Sequence, residues 1–207
     1  MDKEYIMQKT SLKKDDHIDW EDIEEANINE NPWGFRSCAP SAGVKGIACE
    51  SGFRFLLYSC EKDLRTEAKN ESDDIESDSC IGIFLNPSPD VSEEYISIEI
   101  NPCGTVKSEV GVRNRRKFAG VEILEIKELP EAEAGVEIPW GAEIFVPYSA
   151  IDKIYGKTVY NSGKVMLGNF YKCRLGGERS YCSCWNAVET GRPELHHPEF
   201  FGEIIIF

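Results

Sequence analysis

Residues 93–106, Glu93-Glu94-Tyr95-Ile96-Ser97-Ile98-Glu99-Ile100-Asn101-Pro102-Cys103-Gly104-Thr105-Val106, decide the fold. Ile96, Ile98 and Ile100 alternate with Tyr95, Ser97, Glu99 and Asn101. Period two is the mark of a strand, here with its isoleucines facing a core. Pro102 and Gly104 sit where a tight turn takes them, so the chain folds back into a second strand over 105–110. The other face carries a phenol, a carboxylate and a carboxamide. Such a face is either plainly solvated or shaped to hold a polar ligand.

The same pattern recurs along the chain. Strand signals cover 44–50, 53–61, 79–86, 94–101, 105–110, 121–128, 136–146, 165–174 and 203–207. Ser51-Gly52 marks a two-residue hairpin between the first two. A single short helix is expected over 148–155, after Pro147. Residues 1–15 read as a polar tail and residues 71–78 as an acidic loop, with no internal repeat. Many short strands separated by Gly, Pro and Asn predict one all-β domain over 16–207, an antiparallel β-sandwich of jelly-roll or immunoglobulin-like type.

Composition narrows the partners. The 37 acidic residues outnumber the 23 basic ones, for a net charge of −14. That balance disfavours nucleic acid and anionic membrane surfaces. The one basic run, Arg113 to Lys117, reads as a solvated loop. No apolar stretch has the length of a signal peptide or a membrane helix, which predicts a cytoplasmic protein as the sequence stands, or an extracellular one if a leader is removed. Eight cysteines are present without a CxxC pair. Cys60, Cys80 and Cys173 fall inside strands as small apolar fillers, so reduced thiols are expected and a zinc knuckle is not.

Further downstream, "GNFYKCRLGGERSYCSCWNAVETGRPELHHPEFFGEIIIF" resembles the C-terminal signature of carbohydrate-binding module family 9-like proteins. The resemblance rests on Asn169-Phe170-Tyr171, Cys184-Trp185, Leu195-His196-His197-Pro198-Glu199 and Phe201-Gly202. Upstream, "YSCEKDLR" supplies Glu61 and Arg65, "DSCIGIFLNPS" resembles another family segment, and "YISIEINPCG" matches a hairpin motif followed by Arg113. The match runs from about Ile18 to Phe207. Departures are Gly82 in place of a glutamate, Cys184 of a serine, Ala187 of a proline and Leu195 of a phenylalanine.

The resemblance implies a non-catalytic sandwich that binds a mono- or oligosaccharide. Sugars offer C–H faces to aromatic rings and hydroxyl rims to carboxylates, amides and guanidinium groups. Trp185, Tyr171 and Tyr95 are the candidate stacking rings, although each serves equally well as core. Glu61, Arg65, Glu99, Asn101, Arg113 and Asn169 are the candidate polar contacts, with Glu99 and Arg113 either a sugar clamp or a structural ion pair. Some relatives hold structural calcium, for which Asp73, Asp74, Glu76 and Asp78 have suitable oxygen ligands; no other cofactor is implied. His196 and His197 read as packing residues. A small glycoside-processing enzyme, or a haem- or protein-binding sandwich, is the alternative.

Overall fold

The hairpin forms as its sequence dictates. In the computed structural model, which describes residues 3–34, 39–126 and 138–207, Gly104 adopts φ +80° and donates its N–H to the Asn101 carbonyl. The Asn101 side-chain oxygen accepts from Cys103 N and Thr105 N, closing the turn. Ile100 then pairs with Val106, Glu99 with Lys107 and Ser97 with Glu109.

The described residues form thirteen strands and one α-helix. In chain order the strands begin β1 (Glu4–Lys9), β2 (Glu25–Asn27), β3 (Ser41–Ala48), β4 (Gly52–Glu61) and β5 (Cys80–Asn86). They continue with β6 (Tyr95–Ile100), β7 (Val106–Gly111), β8 (Arg116–Lys117), β9 (Glu122–Ile126) and β10 (Ile138–Pro147). Helix α1 (Tyr148–Tyr155), β11 (Val165–Arg174), β12 (Tyr181–Cys184) and β13 (Gly202–Ile206) complete the chain. The expected strands over 121–128 and 136–146 lie partly outside the described residues.

Hydrogen bonding runs β8-β7-β6-β5-β11-β13-β1-β3-β4-β10-β9, with β12 on β11 and β2 on β3. Strand β1 is the seam. Its residues 4–7 pair with β13 in one layer, and its residues 8–9 pair with β3 in the other. Both pairings are parallel, so the sandwich is mixed rather than wholly antiparallel. The segment expected to be a polar tail therefore supplies a central strand, with Tyr5 and Met7 buried. The Ser51-Gly52 hairpin is longer than expected, since the last cross-strand pair is Ala48 with Phe53.

Between the layers, Ile81, Ile83, Ile96, Ile98, Ile100 and Phe170 of one sheet meet Phe53, Phe55, Leu57, Trp140, Ala142 and Ile144 of the other. Helix α1 turns Ala150, Ile151 and Tyr155 inward and ends at Gly156, whose φ of +77° suits glycine. The first layer has a second covered face. There Phe84, Tyr95, Tyr171, Cys80 and Cys173 pack beneath Ile75, Val188, Leu195 and Phe201. Among the described residues, no helix is long and apolar enough to cross a membrane.

Candidate functional site

The expected site residues fall into three separate settings. Glu61, at the end of β4, points into the core between the layers. Its Oε1 accepts from Lys172 Nζ and Trp140 Nε1, both at 2.7 Å, and its Oε2 accepts from Ser79 Oγ at 2.8 Å and from the Tyr181 hydroxyl. Lys172 is completely buried, with its ammonium 5.1 Å from the Trp140 ring centroid and 5.2 Å from that of Tyr181. Burial opposes the Glu61 charge, but Lys172 and the neutral donors outweigh it and hold the carboxyl below its ordinary range. Every lone-pair direction is served by protein. This is a strut between the sheets, not a place for a ligand.

Several other candidates are also structural. Trp185 is 4% exposed, wedged against Phe170 and Tyr5 with ring centroids 5.4 and 6.5 Å away. Such a ring has no free face for a sugar. Tyr171 is fully buried, its ring edge-on to Phe84 at 4.8 Å. Asn101 spends its oxygen on the hairpin turn and its amide on Ala68 O and Asp78 Oδ2, each at 3.0 Å. Asn169 ties β11 to the Asn186 and Phe200 carbonyls. Arg65 is half-buried beside Glu67 and Asp78.

The calcium candidates diverge. Asp78 accepts from Glu67 N, Ala68 N and Asn101, Asp73 from Lys69 N and Asn70 N, and Asp74 from Ser77 Oγ. Their oxygens are used to fold the loop. Among the described residues no group of three or more His, Cys, Asp or Glu is gathered to hold a metal ion.

Glu99 is different. It lies on the outer face of the first layer, 1% exposed, and its carboxyl oxygens meet no amide, hydroxyl or cationic donor among the described residues; the polar group against them is the Glu76 carboxyl. The hairpin register brings Lys107 opposite it. Glu76, on a short 3₁₀ turn over Ile75–Ser77, faces it from another segment. Glu109 and Arg115 complete the surround, joined to each other at 3.2 Å. Burial, and then the nearby Glu76 carboxylate, push the Glu99 carboxyl up to about 8. Burial raises Glu76 as well.

Arg115 takes the place expected for Arg113. Gly111 at φ +137° begins a tight bend that leaves Arg113 exposed and folds Arg115 back over the sheet. Its guanidinium donates to Ser97 Oγ at 2.7 Å and Gly111 O at 2.8 Å, and lies 4.5 Å from the Tyr95 ring centroid. Tyr95 is thereby capped by a cation on one side and joined to His196 Nδ1 at 2.8 Å through its hydroxyl. His196 packs 4.8 Å from Phe84. Burial, reinforced by Arg115 and Lys107, lowers its imidazole to about 4 and keeps it neutral near pH 7. Tyr95 is thus a positioning element of this face rather than an open platform.

Lys107, Glu109, Arg115 and Ser97 escaped the reading of the sequence as site residues. The signal was present: a turn over 101–104 fixes which residues of β7 oppose Glu99 and Ser97. Above the face, Lys107, Glu76 and His196 remain half-buried, while Glu109 is 29% and Arg115 13% exposed. This rim offers ammonium, guanidinium, imidazole and carboxylate groups around one recessed acid. A cleft of about 830 Å³ opens elsewhere between Lys69–Ser72, Thr105 and Ile123 and holds none of these rim groups.

The model of carbohydrate-binding family 9 matches residues 12–206. The chain belongs to carbohydrate-binding family 9. Solved structures agree on the fold. A Bacteroides uniformis protein proposed to bind carbohydrate is 20% identical, with a TM-score of 0.83 and full coverage of both chains. A family 9 module from Caldicellulosiruptor kristjanssonii, in complex with cellotriose, is 14% identical with a TM-score of 0.69, covering 99% of this chain and 93% of its own. The same organism's family 9 module with glucose is 15% identical at a TM-score of 0.68, covering 99% and 96%. No curated protein matches the chain. At these identities the structural likeness speaks for the family 9 sandwich alone.

Proposed function

We propose that this family 9 chain binds a saccharide non-covalently on the outer face of its first layer, at the rim formed by Lys107, Glu109, Arg115 and Glu76 above Glu99. One observation carries the reading. A buried carboxyl whose only close polar neighbour among the described residues is a second carboxyl is costly, and native proteins seldom tolerate one without a use. A sugar hydroxyl donates to such a group and accepts from the ammonium or guanidinium beside it. The Lys107 and Glu109 side chains are long and half-exposed, so a ligand reaches Glu99 by displacing them. The family and the sugar complexes of related modules support a saccharide as the ligand class.

Calorimetric titration of the whole chain with glucose and cellotriose tests it. Saturable heat is expected, and Glu99→Gln weakens binding about fivefold near pH 7, the value of one neutral hydrogen bond. Absence of heat with both sugars, or unchanged affinity in a folded Glu99→Gln protein, overturns the assignment.

The chain is read as non-catalytic. Glu99 nonetheless is a raised acid beside a second carboxyl, Glu76, although the two stand within hydrogen-bond reach, closer than the about 5 Å or more of a glycosidase pair. Release of reducing sugar by the wild type that disappears in Glu99→Gln would turn the same face into an active site.

A further inference from the structure

Beneath the same face, three thiols stand abreast on three neighbouring strands. Cys80 of β5 is the register partner of Cys173 of β11, and Cys173 in turn is the register partner of Cys182 of β12. All three are buried, at 1% exposure or less. The Cys80 and Cys173 sulfurs lie 3.0 Å apart, closer than two sulfurs rest in ordinary contact.

We propose that Cys80 and Cys173 are a redox modification site, closing into a cross-strand disulfide when the chain folds in the presence of a small-molecule disulfide such as oxidised glutathione. Residues directly opposed in an antiparallel pair have Cα atoms about 4.5–5.5 Å apart. A disulfide accepts about 4.4–6.8 Å, so the bond needs no strand movement. In the first step one cysteine thiolate attacks a glutathione disulfide sulfur, forming a mixed disulfide and releasing one glutathione thiolate. The second cysteine gives up its proton and attacks the protein-bound sulfur, releasing the second glutathione. The chain loses two protons and two electrons, and the oxidant becomes two thiols.

Burial decides when this happens. The Cys80 thiol is raised above its usual range, first by Cys173 against it and then by burial, and Cys173 is raised first by Cys182. Such thiols supply little thiolate once the sheet is covered, so the bond forms during folding, before Val188, Leu195 and Phe201 close over it. The same cover then shields it from reductants. Because the two cysteines are 93 residues apart, the crosslink restrains a long loop of the unfolded chain.

The test is refolding of the full chain from urea in glutathione buffers of graded poise, followed by acid quench, alkylation in denaturant and peptide mass mapping. Expected under oxidising poise is one linked pair containing Cys80 and Cys173, lighter than the reduced pair by two hydrogens. The thermal midpoint should rise by several degrees over the reduced form. Cys182→Ala should retain the link, and Cys80→Ser should lose it. Alkylation of both Cys80 and Cys173 at every poise, or linkage of Cys173 to Cys182 in the wild type, overturns the proposal. Neither readout depends on which ligand occupies the face.

Discussion

Glu61 and Glu99 are both nearly inaccessible, at 3% and 1% exposure, yet the protein treats them in opposite ways. Glu61 has a buried lysine and three neutral donors, and its charge is held. Glu99 has a second carboxyl, Glu76, against it, cations set back at the rim, and no amide, hydroxyl or cationic donor among the described residues. The first arrangement is finished: every atom has its answer within the chain. The second is incomplete, and its incompleteness on a face ringed by polar groups is what supports the proposed binding role and sets it apart from the Glu61 strut. Burial alone distinguishes nothing here.

The largest effect expected is on the finished side. Lys172→Met keeps the apolar stem but leaves Glu61 buried without its cation, and unfolding in urea should show a loss of about 3 kcal/mol. Trp140, Ser79 and Tyr181 still donate, which places the loss at the lower end of the range for broken buried pairs. Adding Glu61→Gln to Lys172→Met should recover a good part of it. A single-variant loss below about 1 kcal/mol would mean the two carboxyls do not differ as described.

The second test uses pH, because the two acids slope in opposite directions. Glu61 is lowered in the folded state, so its contribution is complete above its ordinary 4.5 and is lost as pH falls through its folded value. Glu99 is raised to about 8 from an ordinary 4.5. What it contributes is complete below 4.5 and is lost as pH rises towards and through about 8. Its surroundings, Glu76 on the 3₁₀ turn, Lys107 and Glu109 on β7 and Arg115 after it, set that range. Glu99→Gln should therefore gain on the wild type as pH rises across the interval, by at most about 1.4 kcal/mol per pH unit for one proton. Parallel stability curves for the two proteins would show that Glu99 ionises freely.

Much of this was legible in the residues, for identifiable reasons. Alternation put Ile96, Ile98 and Ile100 on one face and Glu99 on the other, since a strand allows no third choice. Whether the second face is open depends on segments far along the chain, Ile75–Ser77 and Val188–Phe201, and no local pattern reports them. Tyr171 is hidden by that same cover, and Trp185 between the layers by Tyr5 and Phe170. Strand β1 escaped because Ile6 sits between Tyr5 and Met7: three apolar side chains in a row mask a period of two, and Ile6 is the one that faces outward. Its partners, moreover, are residues 203–206 and 47–48, so the pairing is entirely non-local. Arg115 was lost to Arg113 because only the bend at Gly111 decides which arginine returns to the sheet.

The smallest effect expected is at Gly82, where the family resemblance anticipates a glutamate. Its backbone is not left-handed, so only space limits a side chain. A Cβ there would lie 3.3 Å from the Phe84 ring and 3.5 Å from Glu99 Cγ. The second is ordinary contact; the first asks the ring to give by a few tenths of an ångström. Phe84 is held by Tyr95, Tyr171 and His196, whereas Glu99 has only the Glu76 carboxyl against it and no amide, hydroxyl or cationic donor among the described residues, so it yields more readily. The reduced freedom of the unfolded chain favours alanine by about 0.4–1 kcal/mol, which offsets the tightness. Gly82→Ala should thus change unfolding stability by less than about 1 kcal/mol while weakening saccharide binding, because the methyl occupies space beside the acid the sugar must reach. If stability falls by much more, the face is as rigid as the Glu61 strut and its unpaired acid is not held ready for a ligand.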